Sequence, residues 1–506
     1  MKKTVFIILC AVAAMASVSC AKLDVNDAAV GQRVPAVINA TAGVSTRATI
    51  DGLQTAWEAG DKISVFDATG KAEGAFTANA SGTSVAFTGT KDEGDALKYA
   101  IYPANESATC AAGVFTTTIP SEQDGTINSS LAIAEEKDGK FEFRNAASVI
   151  KITIPAEETA INFVAFVADN GVTIAGDVTA DMTDLKAVVS TADGAVKYSR
   201  VSVYRDGQPL SGDLYLTVIP GNYSGTLVFG KKDGTVRYAA TVKLASKDYK
   251  VDRIKNFGTA ANLKWIQGAV PGVFSIDSNG RKALMSQGYI QYNAADQSWK
   301  IADTFVRLTG WDPEGVIELF RWDNADTPTS TTTHADGYSE DGDWAKKLAA
   351  GWSTGTWEEY EFCFKNTQES SHDSREAHSL VQHCLGLVQV TADEYYAILY
   401  PDGWAGQFAL YTASDQVPSV TMTIDELKVL EDKGCAILGL GGILNNGAWS
   451  KMTPPQMNIW TTVWKDRKNA YAFRLVFTGG NWQRLVRTVY LTYGYLARPY
   501  YEILEQ

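Results

Sequence analysis

Few residues in this 506-residue sequence have the type and spacing for covalent or metal chemistry. Cys20 is the first. It follows Lys2-Lys3, an apolar run over residues 5–16 and Ser17-Val18-Ser19, the three parts of a secretory signal with a thiol at the cut. An acylated thiol would tether the mature chain, since each buried CH₂ of an acyl chain is worth ~0.8 kcal/mol. The alternative is an ordinary secretory signal cut near the same place. Arg47 is the second. Set among small residues in Ser45-Thr46-Arg47-Ala48-Thr49, it offers a protease an exposed bond, with Arg33 the nearest competitor and a merely solvated linker arginine the alternative.

Elsewhere the chemistry thins out. All four histidines lie between His334 and His383. His378 and His383 are five apart, not the three or four that sets two ligands on one helical face, and no carboxylate matches them, so no metal is expected. No glycine-rich phosphate loop follows a strand, and no nucleophile–base pair can be assembled, so neither a cofactor nor an enzyme is expected. With Cys10 and Cys20 set aside, Cys110, Cys363, Cys384 and Cys435 are too widely spaced for a zinc knuckle or a disulfide framework. Buried free thiols are the expected state, a Cys363–Cys384 bridge the alternative.

Binding chemistry is better represented. Asn445-Asn446-Gly447-Ala448-Trp449 puts amides beside an indole on a glycine-bearing loop, which suits a sugar, although Asn-Gly is also the usual signature of a type I′ turn. Trp460, Trp464 and Trp482 flank polar loops; at least one should be core, while aromatics gathered near Asn481 would form an exposed patch of the sort that binds. Asp402-Gly403-Trp404 reads as a turn before a buried indole.

The elements that position these residues are mostly strands. Residues 34–38 form an apolar patch upstream of Arg47. Alternating runs follow at 62–66, 84–87, 97–102 and 140–143, then at 149–154, 214–219, 226–229 and 235–244, with turn residues between them. In 235–244 the residues Val236, Tyr238, Ala240, Val242 and Leu244 share one face, predicting a half-buried strand. Of 13 tryptophans only Trp57 precedes Trp265, which marks a change of domain near residues 262–268. Beyond it, capping-box spacing at Thr356/Glu359, Thr391/Glu394 and Thr423/Glu426 predicts helices, the last with Leu427 and Leu430 inward and Gly434 as its stop. A short helix is predicted at 343–348, and terminal strands at 471–477, 485–492 and 493–501. The net charge of −13, with no basic run, argues against a nucleic-acid partner. Aromatics at 11% and hydrophobics at 45% argue for folded domains, several of them at this length.

Read in order, these pieces carry a resemblance. Ser-Thr-Arg-Ala-Thr at 45–49, Trp57-Glu58-Ala59-Gly60-Asp61-Lys62-Ile63 with Val65-Phe66, Ala86-Phe87-Thr88-Gly89, Tyr99-Ala100-Ile101-Tyr102-Pro103, Phe143-Arg144-Asn145 and Ile174-Ala175-Gly176 resemble the fimbrillin-like lipoproteins of Bacteroidales. That resemblance implies two successive antiparallel β-sandwich domains. It also implies that a trypsin-like protease cuts after an arginine, here Arg47, removing the first strand so that a strand of another pilus subunit fills the gap. The order of pieces from Gly288-Tyr289-Ile290-Gln291 through Leu399-Tyr400-Pro401-Asp402-Gly403-Trp404 to Ile459-Trp460-Thr461-Thr462 resembles a C-type-lectin-like module related to the formylglycine-generating enzyme. Cys435, the last cysteine, has no near partner for that enzyme's chemistry. The expected layout is therefore a mainly β chain: signal at 1–19, leader with a removable strand at 20–47, sandwiches at 48–146 and 147–264, and an α+β lectin-like adhesive domain at 270–506. Expected partners are other pilin subunits, a glycan or protein ligand, and the outer membrane through Cys20, on the cell surface or in a pilus.

Overall fold

A computed structural model of the chain describes residues 32–42, 56–127, 130–308, 312, 314–320, 343–363, 385–391, 394–404, 421–440, 442–445, 448–450, 456–466, 469–478, 481–490 and 496–503. The chain is mainly β, with two α-helices among these residues, α1 (Trp357–Cys363) and α2 (Ile424–Asp432).

The first block contributes β1 (Arg33–Thr41), β2 (Lys62–Asp67), β3 (Ala72–Ala78), β4 (Ser84–Asp92), β5 (Leu97–Tyr102), β6 (Thr109–Ala111), β7 (Val114–Ile119), β8 (Glu122–Gln123), β9 (Ala132–Lys137), β10 (Lys140–Glu142) and β11 (Arg144–Asn145). Its 8-stranded sheet runs β10-β1-β4-β3-β2-β5-β9-β11, and β9 also pairs with β10, so the ladder closes on itself. Period-two alternation sorts the side chains. Ile63 and Val65 of β2, Ala100 of β5 and Ala134 of β9 line an inner core with Trp57, Phe76, Phe87, Phe141 and Phe143. Phe66, Ile101 and Ile133, on the opposite faces of the same strands, join a second core that runs on to Ala260.

That second core exists because the chain crosses over early. Strand β7 pairs with Ala175–Asp181, and β8 pairs with Arg200–Tyr204. Strand Ile161–Ala168 is buried at all eight positions. Its Val164, Phe166 and Ala168 enter the second core, while Phe163, Ala165 and Val167 pack on Val228 and on Val273 of the C-terminal region. Gly230 permits this approach: a Cβ there would meet Pro271 at 2.8 Å.

All of the run 235–244 except Thr235 falls inside strand Val236–Tyr249, but the burial differs from the half-buried expectation. Ala240 is buried as predicted, yet Arg237 and Ala239 on the other face are buried too, and Val242 is exposed. The C-terminal region supplies the cover. The chain does not leave the sheet freely either, since Ile266 pairs with Ala239 and Gln267 with Tyr238.

In the C-terminal region, Ala269–Ser275 pairs with Lys282–Ser286, which pairs with Pro499–Glu502, so the last described strand returns to the sheet that Ala269–Ser275 opens. Two of the three predicted capping boxes form. Thr356 and Glu359 cap α1 reciprocally, and Thr423 and Glu426 cap α2, whose Leu427 is buried and whose chain turns away at Gly434 with φ +99°. Thr391 and Glu394 instead end and begin two paired strands, Leu385–Thr391 and Glu394–Leu399, because the alternating Glu-Tyr-Tyr-Ala-Ile-Leu run is recruited between two ladders. The predicted helix at 343–348 is a short 3₁₀ turn, Trp344–Lys347, capped by Asp343. The terminal strands lie at Asn469–Thr478, Asn481–Tyr490 and Pro499–Glu502.

Candidate functional site

The apolar patch upstream of Arg47 forms a strand, β1, at a distinctive place in the first sheet. Strand β1 lies antiparallel to β4 over nine pairs, from Arg33 opposite Asp92 to Thr41 opposite Ser84. On its other flank it meets β10, in parallel, only at Asn39, Ala40 and Thr41. Its first half is thus paired on one side alone, where a proline is tolerated, and Pro35 sits in that half. Alternation directs Ala36, Ile38 and Ala40 to the inner core and leaves Val37 64% exposed. Opposite Ala36, Gly89 has no side chain; a Cβ there would lie 2.6 Å from the Phe76 ring.

Withdrawing β1 would therefore strip one flank of β4, uncover β10 and open the core beside Phe76 and Phe87. What stays is held from the other end. Trp57 exchanges backbone hydrogen bonds with Gly82 at 2.9 and 3.0 Å. Its indole stands edge-on to Phe87, Tyr102 and Phe143 at centroid distances of 5.0, 5.1 and 5.1 Å. A chain beginning after Arg47 would keep this anchor.

Arg33 closes the strand's outer end. Its Nη1 lies 3.2 Å from both Glu73 and Asp92, and its Nη2 donates to the carbonyls of Glu73 and Thr90 and, at 3.0 Å, to the Thr90 hydroxyl. Asp92 donates its backbone N–H to Glu73 at 2.7 Å. Lys71 completes the network, within 3.3 Å of Glu73 and 2.8 Å of Asp95, with Asp92 also in contact. Hydrogen bonds from Lys71 and then Arg33 hold the Asp92 carboxyl below the usual range. The carboxylates of Asp67, Glu73 and Asp95 come within 4.8 Å of one another, with Lys71 already among them. Sequence reading named Arg33 only as a second cleavage candidate. Its partners lie 40 and 59 residues away and meet it only through the register.

A second polar cluster joins the C-terminal region to the second block. Arg237 reaches Glu431 at 2.8 Å and Asp432 at 2.9 Å, and donates to the Lys428 carbonyl at 3.1 Å. Lys232 reaches Asp432 at 2.7 Å, and Arg200 donates to the Lys433 carbonyl at 2.8 Å while its guanidinium lies 5.3 Å from the centre of the Trp404 ring. Cations thus grip the C-terminal end of α2, where the helix dipole favours them. Burial pushes the Glu431 carboxyl up to about 7, against the pull of Arg237, and pushes Arg200 down to about 10. Asp402 is buried and accepts from the Ser275 hydroxyl at 2.7 Å, and Trp404 is buried beside Tyr400, so Asp402-Gly403-Trp404 belongs to this joint.

Of the other sequence-derived candidates, Cys20, Arg47, Asn446, Cys384 and all four histidines lie outside the described residues. Asn445 ends strand Ile443–Asn445 and pairs with Ala448, and Trp449 pairs with Leu444, which is hairpin pairing around Asn446-Gly447. Trp464 and Trp482 belong to the same three-stranded sheet but sit toward opposite ends: Trp464 pairs with Ala470 and Trp482 with Phe477, a separation of about 23 Å at strand rise. Their backbones do not bring them into one patch. Trp460 is core, its indole N–H donating to the Phe320 carbonyl at 2.5 Å. Cys110, Cys363 and Cys435 are buried thiols, and burial raises all three.

No family model matches the sequence, and no curated protein matches it. Among solved structures, the chain is similar to a Bacteroides ovatus ATCC 8483 protein described as a candidate cell adhesion protein, with 15% identity and a TM-score of 0.29 over 47% of this chain and 96% of that one. At that score the likeness specifies neither fold nor function.

Proposed function

We propose that this chain is a lipid-anchored surface adhesin that enters a pilus as its tip subunit. In this reading Cys20 tethers the precursor, a protease cuts after Arg47, and β1 departs with the leader. The sheet then accepts a strand from the next subunit, because a vacated position leaves unpaired N–H and C=O groups above an apolar trough. The observation that carries the reading is the placement of β1: residues upstream of Arg47 form a nine-residue strand of the first sheet, between β4 and β10.

The tip position is supported by the other end of the second block. A shaft subunit needs a strand to give away, and here strand Arg253–Thr259 is paired with Ser148–Ile154 while the chain continues into some 240 further residues. These are packed onto the sheet through Val273 and α2. The C-terminal region, lectin-like by resemblance, would hold the glycan or protein ligand.

Arg33 is tied into its strand by two carboxylates, which leaves Arg47 the better substrate. Protein from cells should begin at Ala48 and co-purify with a shaft subunit, and Arg47→Gln should abolish both. A mature N-terminus at Cys20 would instead favour a non-polymerising surface lipoprotein, a reading the closed ladder of the uncut first sheet also suits.

A further inference from the structure

The groove under β1 is apolar along its floor but acidic at one end, and the asymmetry restricts what can fill it. Strands β3 and β4 pair only at Thr77 with Thr88 and Ala78 with Phe87. Toward Glu73 and Thr90 their ladder has stopped, and the Arg33 guanidinium spans the gap, bonded to a carbonyl of each strand. The Glu73 side chain beneath it is fully buried. Two cations, Arg33 and Lys71, serve Glu73, Asp92 and Asp95. When β1 leaves, one of the two goes with it. The Glu73 and Thr90 carbonyls lose this donor as well; exposed Thr90 can turn to water, but the Glu73 side chain is fully buried, and a buried charge stripped of a partner is costly.

We propose that the strand accepted in place of β1 must carry an arginine at the Arg33 position, five residues before a buried branched aliphatic side chain at the Ile38 position and with small residues at the Ala36 and Ala40 positions. This rests on the strand-accepting reading of the slot and adds a rule for its occupant: a basic residue followed by a period-two run of small and branched apolar residues, in an extended segment of another protein chain. The outward positions Pro35, Val37 and Asn39 carry no such demand. Arginine suits better than lysine because its fork reaches two carboxylates and two carbonyls at once. A strand of the right apolar pattern but with an acidic residue at that point would set a third carboxylate against Glu73 and Asp92. The rule thus selects among strands that share the same hydrophobic alternation, which alternation alone cannot do.

The test uses the full chain from Ala21 with a site-specific protease sequence in place of residues 45–49, cut after folding and incubated with excess fluorescent peptides. A peptide of residues 31–43 is the reference. It should exchange into the cut chain; its Arg33→Lys version should enter less well, Arg33→Gln less again, and Arg33→Glu at least tenfold less than the reference. Asp92→Asn in the chain, a partly exposed position that folding should tolerate, should shrink the gap between the reference and the Arg33→Glu peptide. If the Arg33→Glu peptide enters as well as the reference while an Ile38→Asp peptide is refused, the charge rule is overturned and the slot stands. If the reference peptide itself never enters, the strand-accepting reading fails, and this inference with it.

Discussion

The slot under β1 and the joint at the end of α2 are built on opposite plans. Strand β1 buries one face, pairs fully on one flank and touches β10 at three residues on the other. Strand Ile161–Ala168 buries both faces, with pairing on both flanks. At the slot the polar contacts are a half-exposed arginine over a buried carboxylate; at the joint Arg237, Glu431 and Asp432 are all buried together. In the proposed function the one element leaves and is replaced by another chain of similar pattern, whereas the other cannot part without exposing an apolar sheet face and stranding charges. The proposed function, strand exchange at one end and a ligand-holding region packed on at the other, calls for both plans.

The largest expected effect lies at the joint. Val273→Asp places a charge among Phe163, Ala165, Val167 and Val228 and should cost more than about 4 kcal/mol, read as loss of soluble protein or a collapse of the thermal transition. Arg237→Met should cost about 3–5 kcal/mol by leaving Glu431 and Asp432 buried without their shared guanidinium, and Lys232 reaches only Asp432. At the slot, Ile38→Ala should cost about 2–3 kcal/mol, with hydrogen exchange rising in β4 and β10 but not in strand Ile161–Ala168. Equal losses of protection in both regions would erase the distinction.

Acid titration sharpens it further. The Glu431 carboxyl is raised from its ordinary 4.5 to about 7, so the folded chain holds a proton that the unfolded chain has lost. The stability this supplies is complete below pH 4.5 and disappears as pH rises through about 7. Asp169 behaves oppositely. Burial opposes its ionisation, but Lys282, Ser224 and Lys243 hold it down to about 2, so its contribution is present above pH 3.8 and is lost as pH falls toward 2. Glu431→Gln should flatten the slope of stability between pH 4.5 and 7 while leaving the acid limb intact; an unchanged slope would remove Glu431 as its source.

Strand positions and two helix caps were legible in the sequence because both are local: alternation at 62–66 or 97–102 and the Thr423/Glu426 spacing need nothing from elsewhere. The patch at 34–38 was legible as a strand for the same reason. What it pairs with was not, since β4 and β10 are fixed by ladder register and not by composition. The Arg33 network was hidden likewise, its carboxylates lying 40 and 59 residues away. At Arg237 and Ala239 the strict alternation misled, because burial by the C-terminal region falls on the face that local pattern assigned to water. Thr391/Glu394 failed as a cap for a related reason: strand pairing on both sides of Glu394–Leu399 outweighed a local helical signal.

The smallest expected effect is the most discriminating. Val37 is 64% exposed on the outer face of β1, between positions whose side chains enter the core. Val37→Thr keeps the β-branch and should change stability by no more than about 0.5 kcal/mol, measured by denaturant unfolding. If β1 is held only by its ladder, its inward side chains and Arg33, a reference peptide carrying Val37→Thr should also enter the cut chain as readily as the parent. A marked loss at Val37 would mean that the outer face of this strand is covered by something in the working assembly, and that the occupant's outward residues are read as well as its inward ones.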